Sequence, residues 1–260
     1  MTDNSFTPSP ASSDATVEET DFGFRSVRKE EKKNLVRDVF DSVAGKYDVM
    51  NDIMSLGIHR VWKRIFVTEL GPQPGMSLLD LAGGTGDITF GWLKGGGGSA
   101  IMTDINSSML SVGRDRAIDR GFVSDLSFCV VDAEAIPLRD MSVDRVSIAF
   151  GLRNCTDKMA VLREARRVLK PGGRFLCLEF SRVQVAALAP IYDAWSFKVL
   201  PAMGNLIAKD RESYQYLAES IRTFPDQETL ADMFREAGFS HVRYQSLSGG
   251  IAAIHSGWRV

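Results

Sequence analysis

A glycine-rich turn at residues 80–87 is the part of the sequence best suited to bind a ligand. The segment Asp80-Leu81-Ala82-Gly83-Gly84-Thr85-Gly86-Asp87 joins a short apolar run to the start of a helical pattern. Glycines allow sharp turns and close approach to a ligand, and the first N–H groups of a helix are free to bind polar or anionic atoms. This turn therefore predicts a site for a nucleotide-like cofactor.

Three kinds of cofactor make different demands on such a turn. A Walker loop needs G-x-x-x-x-G-K-[ST], which the chain lacks. A dinucleotide loop needs a third small residue for helix packing, and that position holds Thr89. S-adenosylmethionine carries no pyrophosphate, and Asp80 suits its ammonium group. The turn therefore meets the requirements of an S-adenosylmethionine site, and an NAD-dependent reductase remains the alternative.

Two more acids follow the next predicted strands. Asp104 ends the second strand and is placed to accept both ribose hydroxyls. Asp132 and Ala133 follow the third strand, where a carboxylate and a backbone N–H can bind the adenine amino group and ring nitrogen. Each acid alone is also a common helix cap. Because they follow successive strands, we expect them to gather at one edge of a sheet.

Alternating strands and helices must position these residues. The patterns predict strands near 77–82, 100–104, 126–131, 143–150 and 174–180, and helices near 87–94, 107–119 and 158–169. Helices near 188–208, 213–222 and 226–237 follow, and then strands near 241–247 and 251–258. This alternation is typical of an α/β fold with a parallel sheet and helices on both faces.

The first part of the chain differs in character from this domain. Residues 1–21 lack Lys and Arg and are rich in Ser and Thr, which predicts a disordered tail. Residues 22–74 form a predicted helical cap, with an amphipathic helix over 28–44, and residues 75–260 form the main domain. The basic cluster at residues 25–37 of the cap is either a solvated face or a contact with anionic lipids.

Composition excludes several classes of function. The 260 residues carry 31 Lys and Arg against 33 Asp and Glu, so a net charge of −2 argues against a nucleic-acid-binding protein. The three cysteines are far apart, so neither a disulfide framework nor a metal site is expected. No apolar run reaches the length of about 18 residues that a membrane span needs. We expect a cytoplasmic protein that at most lies on a membrane surface.

Longer motifs then point to a known family. Residues 47–62 match the pattern Y-D-x-M-N-x-x-x-S-x-x-x-H-x-x-W, and residues 167–181 form a second signature, RVLKPGGRFLCLEFS. Residues 150–154 (FGLRN) and 219–228 (ESIRTFPDQE) are also characteristic. By these motifs residues 22–260 resemble the ubiquinone/menaquinone biosynthesis C-methyltransferases. The resemblance implies a Rossmann-like class I methyltransferase fold with a mostly parallel seven-stranded sheet.

The resemblance also implies a cofactor and a substrate. Thr85, Asp104 and the pair Asp132 and Ala133 would bind S-adenosyl-L-methionine, and Ala149 stands where the family often has a serine. The substrate would be a polyprenyl quinol, methylated on a ring carbon in ubiquinone or menaquinone biosynthesis. A non-catalytic scaffold of a quinone-making assembly is the alternative. A homodimer or a complex with other quinone-biosynthesis proteins is left open.

Catalytic residues follow from position within these motifs. Arg153 and Asn154 come directly after the fourth predicted strand, where Arg153 would stabilise a phenolate and Asn154 would hold a water or a ring oxygen. His59 is the candidate base, because its ordinary pKa suits proton transfer near neutral pH. Tyr47 would line the cofactor mouth. Residues 190–222 are the predicted lid for the prenyl tail, and the apolar face of residues 190–207 would help the protein to lie on the inner face of the cytoplasmic membrane.

Overall fold

The computed structural model describes residues 19–43, 51–52, 55, 57–122, 124–185, 190, 192 and 211–260. Most of the predicted tail lies outside these residues, and so do Tyr47 and most of the predicted lid, including residues 193–210.

Nine strands and seven α-helices make up this part of the chain. The strands are β1 (Glu19–Phe22), β2 (Arg25–Arg28), β3 (Leu78–Leu81), β4 (Ala100–Asp104), β5 (Leu126–Val130), β6 (Val143–Ala149), β7 (Leu169–Phe180), β8 (Ser240–Leu247) and β9 (Ala252–Trp258). The helices are α1 (Lys29–Val43), α2 (His59–Leu70), α3 (Asp87–Lys94), α4 (Ser107–Asp119), α5 (Lys158–Val168), α6 (Arg211–Thr223) and α7 (Gln227–Glu236).

A seven-stranded sheet forms the centre of the fold, in the order β5-β4-β3-β6-β7-β9-β8. Neighbouring strands pair in parallel, except that β9 runs antiparallel to both β7 and β8. The predicted mostly parallel α/β fold is confirmed. Because β3, β4, β5 and β6 are parallel, their carboxyl ends meet at one edge, which is where the predicted cofactor-binding residues, Arg153 and Asn154 lie.

Two apolar clusters cover the two faces of this sheet. Alternate residues of a strand point to opposite faces, so Leu78 of β3 joins one cluster while Leu79 and Leu81 join the other. The first cluster holds apolar residues of α1, α2, α3 and α6. The second holds those of α5 and α7. Helices therefore flank the sheet on both sides, as the sequence predicts.

The predicted boundary of the disordered tail is wrong by three residues. Glu19–Phe22 pairs antiparallel with Arg25–Arg28 as the hairpin β1–β2. The hairpin is attached to α6 near its turn, because Phe22 is buried and stacks on Tyr216 with ring centroids 4.1 Å apart. The backbone N–H of Phe24 also donates to Glu219 of α6. Local sequence pattern does not reveal such distant partners.

The predicted gap between the helix near 158–169 and the strand near 174–180 is absent, because β7 begins at Leu169 and continues through Pro171-Gly172-Gly173. On the β6 side the register shifts from Val143 opposite Leu169 to Arg145 opposite Arg174, so the intervening residues bulge. They stay attached because Gly172 N donates to Arg259 O and Arg259 N donates to Gly173 O. Hydrogen bonds with the backbone of Arg259 thus replace the strand-pairing hydrogen bonds that the bulge does not form with β6.

None of the helices in the described residues combines the length and apolar composition needed to cross a bilayer.

Candidate active site

The glycine turn connects β3 to α3 and is shaped by close packing. Gly84 and Gly86 adopt φ values of +54° and +93°, which favour glycine. A Cβ on Gly86 would lie 2.5 Å from the ring of Phe90, and one on Gly83 would lie 2.8 Å from Met102. Larger residues would therefore push the turn away from the sheet edge.

Asp80 lies beneath this turn in a buried hydrogen-bond network. Its two carboxylate oxygens accept bonds of 2.7 Å from the hydroxyls of Thr89 and Ser147. Burial raises the pKa of Asp80 to about 6. Thr89 thus serves as a hydrogen-bond donor to Asp80, at the position where a dinucleotide loop would need a third small residue.

Asp104 ends β4 and is oriented by backbone donors. Its side chain accepts hydrogen bonds of 2.9 Å from Gly84 N and 2.8 Å from Asn106 N. Burial raises the pKa of Asp104 to about 6. An ionised carboxylate has about four acceptor positions, and the backbone donors do not fill all of them. Asp104 is therefore suited to accept the two ribose hydroxyls.

Helix α1 forms a roof over the cavity beside Asp104. Lys33 of α1 donates to Asp132 across 2.6 Å and lies 3.1 Å from Glu134, and both acids follow β5. Near the other end of the helix, Asp41 accepts a 2.9 Å hydrogen bond from Asn106. Polar contacts thus hold α1 to the sheet edge on both sides of the cavity.

The cavity under this roof combines polar and apolar walls. It is lined by residues of the predicted site together with apolar side chains, namely Gly84, Asp104, Asp132, Ala133 and Asn154 with Val36, Phe40, Met109, Val131 and Phe150. Carboxylate acceptors beside apolar side chains match a nucleoside. The residues that line this cavity therefore fit the adenosine part of S-adenosylmethionine.

A smaller cavity continues beneath the glycine turn. It is lined by five of the predicted cofactor residues and by one ion pair, namely Asp80, Gly83, Gly84, Thr85, Ala149, Lys63 and Asp87. Gly84, Ala82 and Phe150 line both cavities. This space is suited to the amino-acid part of the cofactor, and Ala149 supplies no side-chain hydrogen bond there.

Arg153 is buried in an ion pair that the sequence did not predict. Its Nη1 lies 2.7 Å from Oε1 of Glu179, and the two side chains are 3% and 1% exposed. The same nitrogen donates to Phe150 O across 2.6 Å. Because Glu179 compensates its charge, Arg153 holds the turn after β6 rather than presenting a free cation. A phenolate-stabilising role for Arg153 stays a prediction.

Asn154 lies at the cavity and is oriented from another helix. The hydroxyl of Tyr216 on α6 donates to Oδ1 of Asn154 across 3.0 Å. The carbonyl side of the amide is thereby engaged, which leaves the amide N–H groups as donors. Asn154 also lines the main cavity, so it is placed to contact a substrate beside the cofactor.

His59 lines neither of the two cavities. It begins α2, is 3% exposed and contacts Asp52 through Nε2 at 2.9 Å. Burial lowers the pKa of His59, since it disfavours the charged imidazolium. The structure thus does not bring this predicted base to the site, and Tyr47 lies outside the described residues.

Sequence reasoning missed four side chains of the site. They are Lys33, Glu179 and Tyr216, which come from distant parts of the chain, and Glu134, which directly follows the predicted pair Asp132 and Ala133. Glu179 lies within the second recognised signature, which was a usable signal. The others carry no local pattern that assigns them to the site.

Comparison with known proteins decides the family. The model of the ubiE/COQ5 methyltransferase family matches residues 26–259. The chain belongs to the ubiE/COQ5 methyltransferase family. A relative from Acidiphilium cryptum, named ubiquinone/menaquinone biosynthesis C-methyltransferase UbiE, is 67% identical over 95% of this chain and 99% of that protein. A relative of the same name from Laribacter hongkongensis is 55% identical over 93% and 98%.

Solved structures of other methyltransferases share the fold of this ubiE/COQ5 family member. A methyltransferase of Thermotoga maritima matches with a TM-score of 0.62 and 19% identity, over 86% of this chain and all of that one. A methyltransferase complex of Haloferax volcanii gives the same TM-score at 20% identity, over 86% of this chain and 97% of that one. The chain is a methyltransferase that uses S-adenosylmethionine, which confirms the predicted fold class and cofactor.

Proposed function

We propose that the chain methylates a ring carbon of a polyprenyl quinol in the biosynthesis of ubiquinone, menaquinone or both. The family and the names of the relatives support this reaction. The observation that carries it structurally is that Asn154 and Asp104 line one cavity. A substrate held at Asn154 would thus lie beside a cofactor held at Asp104.

The chemistry of the substrate defines what the protein must do. A quinol carbon becomes a strong nucleophile when the neighbouring hydroxyl loses its proton. The net reaction replaces one ring hydrogen with a methyl group and releases one proton. The site must therefore orient the ring, favour the phenolate and exclude competing water, and orientation alone contributes about 7–11 kcal/mol.

The cofactor-binding residues follow from the two cavities. S-adenosylmethionine, when bound, supplies an electrophilic methyl group. Asp104 would accept its ribose hydroxyls, and the segment at Asp132 and Ala133 would contact its adenine. The turn from Gly83 to Gly86 and the buried Asp80 would hold its amino-acid end.

Asn154 is the residue that we place against the quinol. Because Tyr216 engages its carbonyl oxygen, its amide N–H groups are left to donate to a ring oxygen. Such a bond grows stronger as that oxygen becomes anionic, so it favours the transition state over the ground state. Arg153 and Glu179 act through the backbone of the same turn as positioning residues.

We also propose that the protein works at the cytoplasmic surface of the membrane as a peripheral protein. A polyprenyl tail keeps its substrate within the bilayer, whereas S-adenosylmethionine dissolves in water. An enzyme that joins the two must reach the interface between them.

The test is methyl transfer by the purified chain from labelled S-adenosylmethionine to two quinols in detergent. One is a demethylmenaquinol, and the other is a 2-polyprenyl-6-methoxy-benzoquinol. We expect a ring C-methyl product, identified by mass and by its ring proton signals. Asn154→Leu should lower kcat by about 10²–10³, the effect of losing a transition-state donor, with little change in cofactor affinity.

Two results would contradict the proposal. Absence of product with both quinols, from a chain that binds S-adenosylmethionine, would favour the non-catalytic scaffold. A melting temperature that rises with NADH but not with S-adenosylmethionine would favour the reductase, because a ligand stabilises the fold that binds it.

A further inference from the structure

A groove of about 770 Å³ lies between α2 and α3, and half of the residues that line it are Lys or Arg. Its basic residues are His59, Arg60, Lys63, Arg64, Lys94 and Arg120. Among the described residues Asp87 is the one acid in its lining. We refer to this surface as the basic groove.

Most of the charge in the basic groove is not compensated locally. Arg64, Lys94 and Arg120 form no ion pair within the described part of the chain, and all three are exposed. Lys63 is paired with Asp87 at 2.7 Å, and Arg60 is paired with Asp52. Three cations without an acidic partner lie on this concave surface, with the guanidinium of Arg120 over the Phe90 ring, and together they create a positive potential that attracts anions.

Exposed apolar side chains lie beside this charge on α2. Ile58, just before the helix, is 38% exposed and Val61 is 47% exposed. They stand three residues apart, and Val61 and Arg64 have the same spacing, so these side chains share one face of the helix. Free phosphate would need no apolar neighbours, whereas a lipid surface offers anionic headgroups above an apolar layer.

The basic cluster at residues 25–37 is a weaker candidate for the same contact. Lys32 is 2% exposed and donates to Cys155 O, while Lys33 is bound to Asp132 and Glu134. Arg28 pairs with Glu31. These charges are engaged within the protein, which leaves fewer of them for a lipid headgroup.

The basic groove adjoins the cofactor site. Lys63 and Asp87 line both this groove and the small cavity beneath the glycine turn, so their ion pair forms the wall between them. A membrane surface bound at the basic groove would lie close to the sheet edge that carries the glycine turn. This arrangement suits an enzyme whose second substrate resides in the bilayer.

We propose that the basic groove, with Ile58 and Val61, docks the chain onto a membrane that carries anionic phospholipids. This inference rests on the proposed function, because a lipid-dissolved quinol is what makes docking useful. Phospholipid phosphates would bind at Arg64, Lys94 and Arg120. Ile58 and Val61 would enter the boundary between headgroups and acyl chains.

The test is flotation of the full chain with vesicles of phosphatidylcholine alone or mixed with phosphatidylglycerol. We expect flotation with the anionic vesicles only, lost at high salt and unaffected by millimolar inorganic phosphate. Arg64→Gln combined with Lys94→Gln should weaken binding about twenty-five-fold, since each basic residue near an anionic surface contributes about fivefold. Ile58→Ser combined with Val61→Ser should also weaken it.

The matched control is Arg163→Gln combined with Arg235→Gln. These exposed arginines lie on α5 and α7, on the opposite side of the sheet, and the change in charge is the same. Equal weakening by both charge variants would overturn the docking site, as would absent flotation or equal flotation with both vesicles. Release by inorganic phosphate would show a free-anion site instead. Methylation of a detergent-dispersed quinol is measured in parallel, so a failure of docking alone is distinguishable from a failure of the proposed function.

Discussion

Replacing Arg153 with alanine should destabilise the fold as well as the reaction. The substitution removes the cation from a pair whose carboxylate partner, Glu179, is 1% exposed. It also removes the hydrogen bond from Arg153 to Phe150 O. The Glu179 carboxylate would then remain buried without its cationic partner, and the turn that carries Asn154 would lose one attachment.

The expected loss is large for a single substitution. Breaking a buried ion pair from one side costs about 3–5 kcal/mol. For a chain of this size each kcal/mol lowers the melting temperature by about 2–4 °C, so we expect a decrease of about 6–20 °C. Replacing both partners, as Arg153→Met with Glu179→Gln, should recover most of this loss, because no charge is then left alone.

Thermal and urea unfolding of the native, single and double variants measure this effect. Turnover is measured well below each melting temperature. A decrease under about 2 °C for Arg153→Ala would refute the argument, and so would a double variant that is as unstable as the single one. If the double variant is stable but kcat is about 10²–10³ lower, the pair contributes to the reaction, either through the charge on the phenolate or through the position of Asn154. If its turnover is normal, the pair stabilises the fold alone.

Other groups give three more expected outcomes. Burial raises the pKa of Asp104 to about 6, and the cofactor hydroxyls bind its charged form, so calorimetry should show S-adenosylmethionine affinity falling below pH about 6. Asp104→Asn should weaken binding by about 1.5–3 kcal/mol and flatten this pH dependence. An unchanged affinity would exclude Asp104 as the acceptor of the ribose hydroxyls. Tyr216→Phe should lower kcat about two- to tenfold without changing cofactor affinity, since it frees the carbonyl of Asn154; a parallel loss of affinity would contradict this. Burial lowers the pKa of His255 to about 4, so on acidification this residue is protonated in the unfolded chain before it is protonated in the folded one. The free energy of unfolding therefore falls as pH drops from about 6.5 to 4. Urea unfolding of His255→Gln should show a smaller decrease over this range, and an identical decrease would refute the role of His255.

The parts of the fold that the sequence predicts well are those with strong local patterns. Strand β4 and helices α3 and α4 begin and end where predicted, because apolar runs, glycines and polar caps mark their limits. Asn106, for example, caps α4 by accepting a hydrogen bond from Met109 N. The hairpin β1–β2 was missed because its stability comes from Tyr216 and Glu219, which are distant in sequence.

The candidate site divides in the same way. The acids at successive strand ends were predicted to gather, since parallel strands bring their carboxyl ends together, and the structure places Asp104 and Asp132 along one cavity. The roof formed by α1 was not predicted, because its contact between Lys33 and Asp132 is tertiary. The partner of Arg153 was missed for a related reason. Whether an arginine is free or paired depends on neighbours from another strand, here Glu179 of β7.

The place of β9 in the sheet has a consequence for synthesis of the protein on the ribosome. This strand follows every other described strand in the chain, yet it lies between β7 and β8 and pairs with both. Until residues 252–258 have left the exit tunnel, β8 has no partner and β7 exposes an unpaired edge. Such edges invite pairing with other chains. A nascent or prematurely terminated chain would therefore be open to aggregation and proteolysis along β7. Pairing of β9 with β7 covers this edge and removes both risks.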